Sequence, residues 1–185
     1  MDHATKSHTA SEGVAPFTFS DAALSECRTI LGRYPAEYSK SALIPILHIA
    51  QTENNGWLSV LAMDAVAKLL KIQYIEVYEV ATFYSMFNLN PVGKHMLEVC
   101  RTVPCMLRGS DDIIDHIEKR LGIKPGGTTA DGLFSLKAVE CLGSCGTAPM
   151  LQCGAQYHEH LTKEKVDELI DTLRAVPERN NYTDR

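Results

Sequence analysis

The sequence contains no apolar run approaching the roughly 18–20 residues that a bilayer-spanning helix requires, so no direct membrane insertion is expected. Its start, M-D-H-A-T-K-S-H-T-A-S-E-G, has neither an apolar h-region nor an Arg-rich amphipathic pattern, and no targeting segment is expected. Positive charge is in deficit: 18 Lys and Arg against 23 Asp and Glu leave a net charge of −5, which favours no phosphate backbone and argues against nucleic acid as a partner. There is no G-x-G-x-x-G after a strand, no P-loop, no G-x-S-x-G and no H-E-x-x-H, so no residue is singled out as catalytic. C-x-x-C is absent too, which disfavours a thioredoxin-type thiol–disulfide enzyme. Internal repeats and low-complexity linkers are missing.

What is present is a chain of 185 residues with 45% hydrophobic content, enough to bury one core of ordinary size or two small ones. Residues 1–19 lack an apolar period and read as a tail. From 20 to 90 the pattern is that of a helical bundle. Ser20 or Asp21 caps a helix with Leu24, Cys27, Ile30 and Leu31 on one face, ended by Gly32. Pro45 suits the first turn of the helix after Ser41, and Ser59 caps the next one. The segment I-E-V-Y-E-V-A-T-F-Y-S-M-F begins helical and turns β-like near Phe83. After Asn90-Pro91 the pattern changes to α/β over 91–176: H-M-L-E-V-C as a strand, a helix capped by Ser110, a Gly- and Thr-rich loop (124–132), and F-S-L-K-A-V-E-C as a second strand. P-M-L-Q-C and a piece around Tyr157 supply further strands, Thr162 caps a last helix, and 177–185 form a polar tail.

Four of the six cysteines lie in two clusters, C-R-T-V-P-C at 100–105 and C-L-G-S-C at 141–145. Cys100 falls at the end of one strand and Cys141 at the end of the next, with a helix in the connection between them. A helical crossover is what parallel strands require, and it would bring both clusters to one sheet edge. In a reducing compartment, clustered thiols point to metal binding before disulfides. Four thiolates on two loops suit either zinc or a [2Fe–2S] cluster, and the wide spacing favours iron–sulfur over zinc knuckles. A Rieske centre is disfavoured, since it needs two His ligands and neither cluster contains one. Gly143, Ser144 and Gly146 would let a loop bend around a cluster and aim N–H groups at sulfur, and Pro104 and Pro149 would stiffen the two loops. Cys27 and Cys153 read as small buried hydrophobes, with Cys153 a conceivable replacement ligand. His158 and His160 would share a strand face as exposed polar residues, and His48 reads as a packed helix residue.

From Tyr34 to Arg174 the chain resembles a known family, the thioredoxin-like [2Fe–2S] subunits of NADH:quinone oxidoreductase (respiratory complex I), called the 24 kDa or E subunit. The resemblance is carried by S-A-L-I-P-I-L-H-I-A-Q, N-G-W-L-S, E-V-A-T-F-Y-S-M-F, P-V-G-K, C-x4-C-M-L-R-G and V-E-C-L-G-S-C-G-T-A-P-M. It implies an α/β fold in which an N-terminal helical bundle precedes a thioredoxin-like domain, and one [2Fe–2S] cluster held by Cys100, Cys105, Cys141 and Cys145. It implies an electron-transfer subunit without a nucleotide site of its own, inert toward NADH alone. The expected partners are the NADH/FMN-binding flavoprotein subunit and other peripheral-arm subunits. The expected location is cytoplasmic, on the inner membrane's cytoplasmic side through the complex. Close relatives serve NAD-dependent hydrogenases and formate dehydrogenases, and a zinc-stapled interaction module is the reading from a different class.

Overall fold

A computed structural model describes residues 17–176. The expected tail lies outside the described residues up to position 16, as does the polar tail from 177 onward. Phe17 and Phe19, assigned to the tail from the sequence alone, instead meet edge to face at 5.0 Å and pack against the helical core. Two aromatic rings so close to the first helix gain more from burial than the short segment loses in freedom.

Four helices build the first half: α1 (Asp21–Leu31), α2 (Leu43–Glu53), α3 (Val60–Leu70) and α4 (Tyr74–Phe83), with a short 3-10 segment over Ala36–Ala42. Ser20 Oγ accepts from Ala23 N–H and Ser59 Oγ from Ala62 N–H, each relieving one orphan donor of a helix start. Pro45 sits in the first turn of α2, where its missing N–H costs no helical hydrogen bond. Cys27, Ile46, Leu47, Val66 and Val77 are fully buried together, and Cys27 is part of this core. Burial, then the carboxylates of Glu26 and Glu53, push its thiol up to about 11, which keeps it neutral and unreactive.

No strand forms directly after α4, where the sequence turns aromatic. Tyr84 is extended, but the chain then turns, and Phe87 plugs into the helical core at 5% exposure. The backbone groups here are satisfied by a side chain of α2 and by the loop before α3 instead of a sheet neighbour. Asn88 N–H donates to Gln51 Oε1 (2.8 Å), Leu58 N–H to the Asn88 carbonyl (2.7 Å), and Asn88 Nδ2 to the Gly56 carbonyl (2.9 Å). Lys137 ties this segment to the second half, donating to the Ser85 carbonyl and to Asn88 Oδ1.

That second half runs β1 (His95–Cys100), α5 (Val103–Leu107), α6 (Ser110–Leu121), β2 (Phe134–Val139), β3 (Leu151–Cys153), β4 (Gln156–His158) and α7 (Lys163–Arg174). The sheet order is β2-β1-β3-β4. β1 and β2 are parallel, with His95 opposite Phe134 and Cys100 opposite Val139, and the other pairs are antiparallel. The crossover through α6 is the parallel connection that the sequence suggested. α6 and α7 share a core with the sheet built on Leu97, Val99, Ile113, Ile117, Leu136, Val166 and Ile170. Arg120 joins the two helices, its Nε 3.2 Å from Asp167 and its Nη2 2.8 Å from Asp171.

Two sequence-based assignments need correction. Ser110 is the first helical residue of α6 and not its cap; Gly109, at φ 93°, occupies the cap. α5 must close and reverse within two residues, a left-handed step that glycine takes without steric cost. Ser110 Oγ is buried with no hydrogen-bond partner. His158 and His160 do not share a strand face either, because β4 ends at His158 and His160 turns to φ 49°.

Gly93 shows why P-V-G-K precedes β1. A methyl group here would lie 2.7 Å from the Phe134 carbonyl carbon and 2.9 Å from that of Leu133, while the Gly93 N–H donates to Ser135 Oγ at 2.7 Å. Gly93→Ala is expected to cost about 2–3 kcal/mol, the scale of overpacking against backbone, read as a lower urea midpoint. An unchanged midpoint would show that the backbone at 133–134 yields freely.

Candidate metal centre

Cys100 ends β1, and its N–H donates across the sheet to the Met150 carbonyl at 3.2 Å. Thr102 is extended, and Pro104 in the first turn of α5 favours an immediate helix. Cys105 therefore lies in a short helix and not in the irregular loop expected from the sequence. The turn rotates Cys105 inward, where it and Cys100 are 1% and 3% exposed, against Ala148, Met150 and the partly buried Leu142. Val103, Met106 and Leu107, also on α5, remain exposed.

The sulfurs sit among donors. Cys100 Sγ lies 3.3 Å from Thr102 Oγ1 and 3.2 Å from the Glu140 carbonyl, to which the thiol donates. Burial alone would raise the Cys100 pKa. The Thr102 hydroxyl, the N–H groups of Thr102 and Leu142, and the Cys105 thiol outweigh it and hold the group below the ordinary thiol value. Cys105 goes the other way, pushed to about 11 by burial, then by Cys100, with smaller effects from the Met150 N–H, which lowers it, and from Cys145. The backbone N–H groups that lower these two pKa values are those of Thr102 and Leu142 at Cys100 and of Met150 at Cys105.

The second cluster follows β2 as a loop and a one-turn 3-10 segment, Cys145–Thr147, and Gly143 at φ 78° makes its bend. The Ala148–Pro149 bond is cis. Cys145 is exposed yet near enough for its charge to act on Cys105. Cys141 is exposed two residues beyond β2, on the rim of a cavity of about 590 Å³ lined by His48, Gln51, Met86, Glu98 and Leu142. Burial raises the Glu98 carboxyl above its usual range, opposed by the Lys137 ammonium across the β1–β2 pair. His48 is only partly buried, its ring 5.0 Å from that of Phe87.

The structure thus packs Cys100 and Cys105 together with Cys145 near Cys105, while Cys141 lines a separate cavity. Among the described residues no three His, Cys, Asp or Glu side chains form a ligating group. The donors still fit an iron–sulfur cluster. Two thiols are buried against each other, and the surroundings of one, Cys100, favour the anionic sulfur. The other two lie on a loop where side chains at Gly143 and Gly146 would meet nothing within 4 Å, so it has room to close. His95, five residues before Cys100, is at the opposite end of β1, about 17 Å away at the usual strand rise, and is remote from the thiols. Cys153 pairs with Leu97 and belongs to the sheet core.

Comparison with known proteins decides the family. The profile of the thioredoxin-like [2Fe-2S] ferredoxins matches residues 27–174. The E subunit of the NADH-quinone oxidoreductase of Rickettsia bellii is 48% identical over 161 residues, 87% of this chain and 96% of the relative. Its counterpart in Rickettsia felis is 50% identical over 155 residues, 84% and 93% of the two chains. The chain belongs to the thioredoxin-like [2Fe–2S] ferredoxin family, among its NADH-quinone oxidoreductase E subunits. As such it is an iron–sulfur electron-transfer protein with a [2Fe–2S] cluster as cofactor, and it works in an oxidoreductase assembly with other subunits. The fold recurs in a crystal structure of an NAD+-reducing [NiFe]-hydrogenase, with a TM-score of 0.63 and 22% identity, covering 72% of this chain and 23% of that one. No helix among the described residues is long and apolar enough to cross a membrane.

Residue-type spacing did not reveal α5, nor the roles of Thr102, Tyr157 and Glu159 around the thiols. The Thr-x-Pro step after Cys100 is the signal for α5, since an extended Thr before a proline-led turn is a common helix start. Glu159 has no such signal, because its partners are 12 and 15 residues away.

Proposed function

We propose that Cys100, Cys105, Cys141 and Cys145 together hold the [2Fe–2S] cluster of this E-type chain, and that it exchanges single electrons with an NADH/FMN-binding flavoprotein subunit. The observation that carries the reading is the burial of Cys100 and Cys105 against each other just beyond the parallel β1–β2 pair, with the Thr102 hydroxyl 3.3 Å from the Cys100 sulfur. When bound, the cluster supplies one-electron chemistry with no bond made or broken in a substrate. The protein's part is to bind and to tune. Thr102 and the three N–H groups stabilise negative charge on sulfur, while Ala148, Met150 and Leu142 keep water from the buried pair. Outside Cys105, the exposed Val103, Met106 and Leu107, flanked by the exposed Arg101 and Arg108, give a redox partner an apolar patch with a basic border to approach. The protein would lie on the cytoplasmic face of the inner membrane, attached only through its complex.

Identity near 48% along nearly the whole length of E subunits favours this host over a hydrogenase, to which the likeness is one of fold. The test is anaerobic purification followed by absorption, metal analysis and EPR after dithionite. A red-brown protein with two irons per chain and an S = 1/2 signal is the expected result. A colourless protein with stoichiometric zinc would overturn it in favour of a zinc-stapled interaction module. Co-purification with the flavoprotein subunit is expected, and its absence from the isolated complex would remove that partner.

A further inference from the structure

The loop bearing Cys141 and Cys145 is held at two points by residues at the sheet's outer edge. Tyr157, in β4, donates its hydroxyl to the Leu142 carbonyl at 2.8 Å, next to Cys141. Just past β4, Glu159 Oε1 accepts from Ser144 Oγ and from Thr147 Oγ1, both at 2.6 Å. The His160 N–H donates to the Thr147 carbonyl at 2.8 Å. The single turn containing Cys145 is thus bracketed on both sides by hydroxyls that converge on one carboxylate oxygen.

Each hydroxyl has one proton. With both directed to Glu159, the 2.7 Å approach of Ser144 Oγ to Thr147 Oγ1 is proximity enforced by the shared acceptor. The Ser144 carbonyl, 3.1 Å from Thr147 Oγ1, is the more distant alternative. The carboxyl of Glu159 is held below its usual range by the Ser144 hydroxyl first and Thr147 second, so the acceptor is ionised at neutral pH. The start of the loop is also held by the Cys100 thiol at the Glu140 carbonyl and by the packing of Leu142, whereas the turn beyond it has Gly143 at φ 78° and open space around Gly146.

We propose that Glu159 and Tyr157 are positioning residues for the ligand loop: Glu159 fixes the Cys145 turn, Tyr157 fixes the backbone beside Cys141, and together they limit the freedom of the loop that carries the two exposed thiols. The inference rests on the assignment of Cys141 and Cys145 as ligands. Glu159 also places a negative charge one hydrogen bond from that turn. Its removal should make the reduced state easier to reach and raise the midpoint potential.

The experiment uses the full chain purified with its cluster. Glu159→Ala is expected to release iron to a chelator at least about tenfold faster, in the range typical for loss of an outer-shell partner, and to broaden the EPR signal. Glu159→Gln retains an acceptor oxygen while losing the charge. It should release iron at nearly the original rate yet show a higher midpoint potential, which a purely structural contact would not produce. Tyr157→Phe should accelerate release less than Glu159→Ala. Cys145→Ser is the control on the underlying assignment, and a spectrum identical to the unmodified protein would overturn that assignment. If Cys145→Ser alters the spectrum while Glu159→Ala changes neither release rate nor signal, the ligand assignment stands and the clamp is refuted.

Discussion

Cys100→Ser is expected to abolish the S = 1/2 signal and the visible absorption of the purified protein while leaving its far-UV circular dichroism intact. Serine is nearly the size of cysteine. Its hydroxyl would find the Glu140 carbonyl as acceptor and Thr102 Oγ1 beside it, where the thiol lies 3.2 and 3.3 Å away. The buried polar group is therefore satisfied, and the fold should lose no more than about 1 kcal/mol. The chemistry changes far more. A hydroxyl is a much weaker acid than a thiol, and oxygen is a harder donor than the sulfur that iron–sulfur clusters require. The Thr102 and Leu142 N–H groups that pull the Cys100 pKa down act on a thiolate, and serine gives them none. Cys153→Ser is the matched control. Cys153 faces Leu97 across β3 and β1 in the sheet core, so its replacement should lower stability without altering the signal. A Cys100→Ser protein with an unchanged spectrum would take Cys100 out of the ligand set.

Phe134→Ala should show the opposite pattern, a large loss of stability with unchanged g-values. Phe134 has no exposed surface and is the largest fully buried side chain among the described residues. Its ring lies 5.5 Å from that of His95 and 5.7 Å beneath the Arg174 guanidinium, so it links β2, β1 and α7. Truncating a buried phenylalanine costs about 3–5 kcal/mol, a large share of the roughly 5–15 kcal/mol typical of a native domain. Phe134 stands opposite His95, whereas the Cys100 end of β1 is opposite Val139, so the cavity opens at the far end of the pair. Thermal unfolding followed by circular dichroism, together with EPR at low temperature, reads both quantities. A shift of the EPR signal without a loss of stability would mean that the two ends of the strand are coupled through the sheet.

Legibility in the sequence differed by kind of feature. Helix starts with a serine or threonine cap were readable because the signal is local. Ser20, Ser59 and Thr162 each accept from the N–H three residues on. The helical crossover between the cysteine clusters was readable from chain order alone, since few connections suit parallel strands, and β1 and β2 do pair in parallel. Ser110 looked identical to the true caps. It failed as one because Gly109 had already taken the cap position to close α5, a short helix of five residues with no apolar period to reveal it. Near Phe83 the aromatic run imitated a strand, but with its polar groups met by Gln51, Gly56 and Leu58 it had no need of a sheet.

The amino-acid sequence by itself determined the family, the order of the longer helices and of the strands after Asn90, and which cysteines stand in pairs, because these depend on residue type and spacing along the chain. Only the tertiary structure decided how the cysteines differ. Cys100 and Cys105 are buried together because α5 turns one toward the other. Cys141 and Cys145 stay exposed on a loop that is gripped by Tyr157 in β4 and by Glu159 just past it. Burial and long-range hydrogen bonds arise from which segments meet in space, and these set the thiols' acidity and the hold on the loop, so spacing along the chain could not reveal them.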